Sequence, residues 1–260
     1  MKETIEANRE LSHPLKIEAR CSSLSSFCQV FFLMTWIEDK FEEESFTKDF
    51  FCNIGTVVHS VVQKWLGITE NLYGKWKCIK CNKIIHEGFG PVICECKNLC
   101  EYEEYELSYN ILTGHCDGLF LINKKFYIFE LKTISTRGLT ERIKERQPYY
   151  YHSAQSNMYT LMAQKIKLPY PLVGNVIVYL TRDNPFKFKA FVHEGIDLNT
   201  VKETIRDYKK AIKMMETGEF KKIVQHCKSY EESKNCPYKS ICFQGNVDNI
   251  LKNFWDLKNE

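Results

Sequence analysis

No stretch of this 260-residue chain is apolar for long enough to cross a bilayer. The longest such run, Val30 to Ile37, falls well short of the ~20 residues a spanning helix needs. There is no Gly-x-x-x-x-Gly-Lys-Ser/Thr loop, so the chain carries no P-loop motor. Internal repeats and low-complexity tracts are absent, and neither sign of charge dominates: the formal net charge is +3. Residues Met1 to Lys16 are polar and include acids, unlike a secretory or transit signal. What is left is an ordinary globular composition, 44% hydrophobic and 27% charged. The length allows one substantial core with inserts, or two small domains. The expectation is a soluble intracellular protein of the cytoplasm.

The most informative stretch runs from Gly114 to Lys132. Two apolar runs flank Asn123-Lys124, the signature of a hairpin turn. A hairpin centred there pairs residue 122 with 125 and, continuing, Asp117 with Glu130. Directly opposed residues sit about 5 Å apart at Cβ, where like charges destabilise unless a cation lies between them. Strand alternation puts Lys132 on the face of Glu130, while Phe129 and Leu131 point to the packed side. Two hard carboxylates and a lysine converging on one spot predict a magnesium or manganese site.

Four ordered motifs accompany that hairpin: Gly55-Thr56-Val57-Val58-His59, Gly114 to Gly118 with Asp117, Glu130-Leu131-Lys132, and Gln155-x-x-x-Tyr159. Taken singly, each has a bland reading. A Glu-x-Lys is most often a solvated face, and His59 among Ile54, Val57, Val58, Val61 and Val62 is most often a core histidine. As an ordered set they resemble the PD-(D/E)XK nuclease superfamily, and within it the RecB-like branch that includes CRISPR-associated adaptation nucleases and the nuclease modules of recombination helicases. The resemblance implies His59, Asp117, Glu130 and the Leu131 carbonyl as ligands of Mg2+ or Mn2+. It implies Asp117, Glu130, Lys132, Gln155 and Tyr159 as the catalytic set, with Gln155 and Tyr159 orienting Lys132 or meeting the nucleic-acid backbone. One of Glu101, Glu103, Glu104 and Glu106 would assist, and alternation does not select which.

Twelve cysteines are many for this length. Without a secretory signal, metal ligation is the stronger reading than disulfides. Cys78-x-x-Cys81 followed by Cys94-x-Cys96-x-x-x-Cys100 predicts a structural zinc site that staples a loop-rich insertion. The chosen ligands are Cys78, Cys81, Cys94 or Cys96 (Cys96 preferred), and Cys100, with His86 a weaker substitute. The second group lies near the chain ends. Iron–sulfur members of the resembled branch use one cysteine before the nuclease core and three after it, which implies a 4Fe–4S cluster on Cys28 (Cys21 being the alternative), Cys227, Cys236 and Cys242. Cys236-x5-Cys242 matches that pattern closely, whereas Gln29 replaces its proline and Ser233 a ligand cysteine. Cys52 and Cys116 read as packing residues.

Basic side chains cluster at Arg137, Arg142, Lys144 and Arg146, just after the Glu-x-Lys strand, where a phosphate backbone needs neutralising. A second group, Lys202, Arg206, Lys209, Lys210 and Lys213, decorates a later helix, most often a solvated face. Periodicity predicts helices over 22–44, 54–66, 149–164 and 199–217, with a last short helix, and strands over 102–112, 115–122, 125–134, 173–180 and 186–193. The fold class is α/β, a restriction-endonuclease-like mixed central sheet flanked by helices. The expected parts are an N-terminal helical part (1–75), a zinc-binding insertion (76–100), the nuclease core (101–220) and a C-terminal iron–sulfur region with a helix (221–260). The function so implied is metal-dependent hydrolysis of DNA, exonucleolytic on single strands or overhangs, in recombination, repair or CRISPR adaptation, with a helicase or CRISPR integrase as partner. The alternatives are an inactive nucleic-acid-binding scaffold and a structural metalloprotein subunit of a larger complex.

Overall fold

The computed structural model describes residues 19–38, 46–183, 186–224, 236–243 and 246–259. In chain order the elements are β1 (Ala19–Arg20), α1 (Cys21–Leu24), α2 (Gln29–Glu38), α3 (Phe46–Ile68), β2 (Leu72–Cys78), β3 (Ile84–Phe89), β4 (Cys100–Glu103), β5 (Tyr105–Tyr109), β6 (Leu112–Cys116), β7 (Gly118–Ile122) and β8 (Lys125–Ile134). There follow α4 (Thr136–Glu145), α5 (Tyr150–Ala163), β9 (Leu172–Thr181), β10 (Phe188–Glu194), α6 (Leu198–Thr217), α7 (Lys239–Phe243) and α8 (Val247–Asn259).

A mixed seven-stranded sheet runs β10-β9-β8-β7-β2-β3, with β4 also on β2, and a three-stranded sheet runs β1-β6-β5. The chain is therefore an α/β protein with a mixed central sheet flanked by helices. β8 holds the middle. It pairs antiparallel with β7 across the Asn123-Lys124 turn and parallel with β9. Both turn residues have positive φ, 49° and 60°, as a two-residue turn matching the strand twist requires. A parallel neighbour needs a long crossover, here supplied by α4 and α5. With layers on both faces, β8 is buried from Phe126 through Leu131, and its near-continuous apolar run follows.

On one face Val58, Val62 and Leu66 of α3, spaced by four, pack on Phe129, Leu131 and Leu180. The main core lies on the other face, where Leu119, Phe126 and Ile128 meet Met158 and Met162 of α5 and Ile212 of α6. A further cluster joins α2, α6, α7 and α8 through Leu33, Met34, Met214, Ile241 and Leu251. Helix ends are chemically marked. Ser135 caps α4 by accepting from the Gly138 N–H at 3.1 Å, Asp197 caps α6 through the Thr200 N–H at 3.1 Å, and Gly218 closes α6 with φ 64°.

Several boundaries differ from the periodicity. The helix over 22–44 is broken into α1 and α2 within a serine-rich stretch, where Ser25 Oγ donates to the Ser22 carbonyl and such local bonds compete with helix continuation. Its residues 39–44 lie outside the described residues. The strand over 102–112 divides between the two sheets as β4 and β5. The segment up to Cys100, expected to be loop-rich, contributes β2, β3 and β4, and β2 extends the central sheet by pairing Leu72 and Tyr73 with Phe120 and Leu119 of β7. Among the described residues no helix is long and apolar enough to cross a membrane.

Candidate active site

The β7–β8 ladder pairs Gly118 with Phe129, Leu119 with Ile128, and so on to Ile122 with Lys125. The ladder ends at Gly118 with Phe129, which leaves Asp117 and Glu130 as the next positions along the same register. The strand expected over 115–122 does not run straight through: it breaks at Asp117, the bend between β6 of the small sheet and β7 of the large one. That bend turns the Asp117 side chain into the sheet interior. Its Oδ2 accepts from the Leu131 backbone N–H at 2.6 Å, its Oδ1 lies 3.1 Å from His59 Nδ1, and its backbone carbonyl accepts from Gln63 Nε2 at 3.0 Å.

Glu130 is only 1% exposed. Its Oε2 accepts from Lys132 Nζ at 2.8 Å, while Oε1 is buried with no hydrogen-bond partner. An unsatisfied carboxylate oxygen in the interior is costly. Burial accordingly pushes the Glu130 carboxyl up to about 7, against the pull of Lys132. Burial works to lower the Lys132 ammonium, but Glu130 and Asp117 outweigh it and hold it above the usual lysine range. His59 follows the same logic, since its bond to Asp117 more than offsets burial and raises it.

The acidic run is now resolved. Glu104, the residue after β4, brings a carboxylate oxygen within 4.8 Å of ligand atoms of Asp117 and His59. Burial first, and then Asp117, raise its carboxyl. An imidazole and two carboxylates so grouped, with the charge of Asp117 felt by the buried Glu130 carboxyl, form a donor set suited to a hard divalent cation.

Cys52, Gly55, His59 and Gln63 recur every three or four residues and so share one face of α3. A cavity of about 440 Å3 opens there, lined by Cys52, Gly55, His59, Lys132, Thr133, His152 and Arg182. Cys52, read as packing, is thus exposed on the cavity wall, whereas Cys116 is buried in the main core as expected. A larger cavity of about 730 Å3 lies beside β10 and includes none of the site residues. Gln63 was not singled out by sequence reasoning. Its signal was the four-residue spacing from His59.

Gln155 and Tyr159 are placed differently from expectation. Gln155 Nε2 donates to Tyr159 Oη at 3.0 Å, and both side chains are buried, so in this structure neither faces a nucleic-acid strand. Among the described residues Lys132 takes Glu130 as its partner instead. Tyr159 abuts Gly114, where a Cβ would lie 2.7 Å from the ring, so the glycine of that motif makes room for the tyrosine. Of the basic cluster on α4, Arg142 is 9% exposed, pairs with Glu145 at 2.8 Å and stacks over the Tyr149 ring. It fastens α4 and is withdrawn from any phosphate, while Arg137 is exposed and pairs with Glu141.

The cysteines also sort themselves. Cys78, Cys81, Cys94 and Cys96 have sulfur atoms that all lie within 4.8 Å of one another. Cys100, expected in that set, instead starts β4 opposite Cys78 in the ladder and stands beside the group. Cys94 takes its place because a short hairpin, bridged at Ile93 and Leu99, folds both Cys94 and Cys96 back towards the first pair. The His86 side chain is outside the described residues. Near the chain ends, Cys28, Cys236 and Cys242 fall in one apolar cluster, Cys21 belongs to the main core, and Cys227 and Ser233 lie outside the described residues. Gln29, where the resembled pattern has proline, is fully buried and bridges two elements. Its Nε2 donates to the Asp207 carbonyl at 2.9 Å and its Oε1 accepts from the Val224 N–H at 2.8 Å.

The fold and the Asp117–Glu130–Lys132 geometry meet in the comparison with known families. The model of the PD-(D/E)XK nuclease superfamily matches residues 82–243, and the chain belongs to that superfamily. No curated protein matches it. Similar solved structures include the crystal structure of SSO0001, 14% identical with TM-score 0.44 over 93% of this chain and 91% of that one. Another is the alkaline exonuclease LHK-Exo from Laribacter hongkongensis, 10% identical with TM-score 0.41 over 77% and 92%. LHK-Exo in complex with dAMP gives TM-score 0.42 at 10% identity and the same coverage.

Proposed function

We propose that this nuclease is a metal-dependent deoxyribonuclease acting on single-stranded DNA or overhangs. The observation that carries the reading is the grouping of Asp117, His59 and Glu104 ligand atoms within 4.8 Å of one another, with Asp117 bonded to the N–H of the residue after Glu130, whose Oε1 is buried without a partner; a bound cation would satisfy such a donor set. Asp117, Glu130, His59 and Glu104 would hold magnesium or manganese. The Leu131 carbonyl would join them, because an extended residue sends its N–H and C=O to the same side and the Leu131 N–H points to Asp117. When bound, such an ion supplies Lewis-acid polarisation of a phosphoryl oxygen and acidifies water.

The chain's own residues do the rest. Asp117 is locked by the Leu131 N–H, so its free electron pairs keep one direction. Lys132, tethered to Glu130 Oε2, offers an ammonium at the cavity wall to orient water or to offset charge on the phosphoryl group. Lys132 and Arg182 both line the cavity, two basic side chains of the kind that suit a polyanionic strand. Gln155 and Tyr159 act from behind, positioning the strand of Gly114 to Asp117.

A 4Fe–4S cluster on Cys28, Cys227, Cys236 and Cys242 completes the reading. Three of these cysteines lie in the same apolar cluster, though without their sulfurs grouped as those of Cys78, Cys81, Cys94 and Cys96 are, and Gln29 already ties α2 to the start of the C-terminal region. Such a staple closes a loop of about two hundred residues, where crosslinking contributes most. Partners of the CRISPR integrase or helicase type belong to the same proposal, in recombination, repair or CRISPR adaptation.

The test is labelled single- and double-stranded DNA incubated with Mn2+ or EDTA, with wild type beside Asp117→Ala and Lys132→Ala. Cutting that persists in EDTA, or in both variants, sinks the enzyme reading. Loss of visible absorbance in Cys236→Ser tests the cluster.

A further inference from the structure

We infer that Cys78, Cys81, Cys94 and Cys96 hold a zinc ion whose role is to place Glu104 in the cation site of the nuclease, an inference that rests on the reading given above. The four sulfurs all lie within 4.8 Å of one another, close enough to share one ion. Cys78 and Cys96 sulfurs are 3.4 Å apart, and those of Cys81 and Cys94 3.7 Å. Four sulfurs at about 2.3 Å from one zinc lie roughly 3.8 Å from one another, and a disulfide would need about 2.05 Å.

Each pair sits in a tight turn whose next residue is left-handed, Asn82 after Cys81 with φ 56° and Lys97 after Cys96 with φ 61°. Backbone and amide donors point at the sulfurs. The Lys80 N–H donates to Cys78 Sγ at 3.4 Å and Asn98 Nδ2 to Cys96 Sγ at 3.5 Å, the outer-shell bonds that thiolate ligands require.

Apolar burial in this segment is thin. Ile79, Ile84, Ile93 and Leu99 are between 45% and 71% exposed. The buried cluster beneath them consists of Trp76 and three cysteines, with Ile85, Val92 and Tyr102 partly buried against it. A metal supplies what the core lacks.

The strands carry that order to the active site. Cys78 ends β2, and Lys75 to Cys78 pair in register with Glu103 to Cys100 of β4. The opposite end of β2 pairs with β7, which begins one residue after Asp117. β4 stops at Glu103, so the next residue, Glu104, emerges with its carboxylate beside Asp117 and His59. Fixing the thiol end of β2 and β4 therefore fixes one cation ligand relative to another.

The experiment uses the full chain and two readouts, metal content by mass spectrometry and Mn2+ affinity by titration. We expect one zinc per chain, lost in Cys81→Ser and Cys94→Ser, kept in Cys100→Ser, and restored by Cys94→His. Mn2+ affinity should fall about tenfold or more in Cys94→Ser and in Glu104→Gln, no further in the double variant, and recover in Cys94→His. Zinc lost in Cys100→Ser but kept in Cys94→Ser overturns the ligand set. Iron and sulfide in place of zinc overturn the metal class. Unchanged Mn2+ affinity on zinc loss, or losses that add in the double variant, overturn the link to Glu104. A wild type that holds zinc but binds no Mn2+ overturns that link together with the nuclease reading, and upholds the thiol site alone.

Discussion

The backbone N–H of Leu131 donates to the Asp117 carboxylate at 2.6 Å. In the hairpin register this N–H faces the position of the Cys116 carbonyl, but the chain leaves β7's line at the Asp117 bend and the side chain takes over. One carboxylate thereby ends the β7–β8 ladder and orients itself for a cation.

Asp117→Ala leaves that buried N–H unpaired, a loss of about 1–3 kcal/mol. Asp117→Asn keeps an acceptor in the same place. Thermal or denaturant unfolding should show the alanine variant clearly less stable and the asparagine variant close to wild type, while both lose DNA cleavage. Equal stability of the two would show that the bond contributes nothing.

Removing Lys132 strands a buried carboxylate. Breaking one partner of a buried pair costs about 3–5 kcal/mol, while replacing both with apolar or neutral groups is often harmless. Lys132→Met should therefore destabilise the cation-free chain strongly, and Glu130→Gln with Lys132→Met should recover most of that loss without restoring cleavage. Chemical denaturation of the two variants measures it.

Proton linkage has a definite sign here. Burial raises the Glu130 carboxyl from 4.5 to about 7 and also raises Glu104, and the Asp117 bond raises His59 from 6.5 despite burial. In each case the folded chain binds its proton more tightly than the unfolded chain. Stability of the cation-free protein is then fully present at low pH in this range and falls as pH rises from about 4.5 through 7. Melting temperature without divalent ions should drop across that interval, and Glu130→Gln should flatten the slope. Added Mn2+ should stabilise more at about pH 8 than at about pH 5.5, because protons compete for the same oxygens.

Gly114 is tested by crowding. A Cβ there would sit 2.7 Å from the Tyr159 ring, so Gly114→Ala should cost about 1–3 kcal/mol as an overpacked core position. In a Tyr159→Leu background the same change should cost much less. A double-mutant cycle on unfolding free energy reads the difference.

Much of this protein was legible from local pattern. The Asn123-Lys124 turn and the two-residue period of its strands determined which residues face each other, so the pairing from Ile122–Lys125 to Gly118–Phe129 and the shared face of Glu130 and Lys132 could be read directly. β8, β9, α5 and α6 were recoverable for the same reason, because period and caps are properties of neighbours in sequence. Tertiary structure alone decided which of four glutamates approaches Asp117, why Cys94 and not Cys100 completes the thiol group, that Gln63 reaches the Asp117 carbonyl, and that β2 to β4 extend the central sheet. Those outcomes depend on pairing between strands far apart in the chain and on a bend where one sheet hands over to another. Side-chain spacing along a single segment holds no record of either.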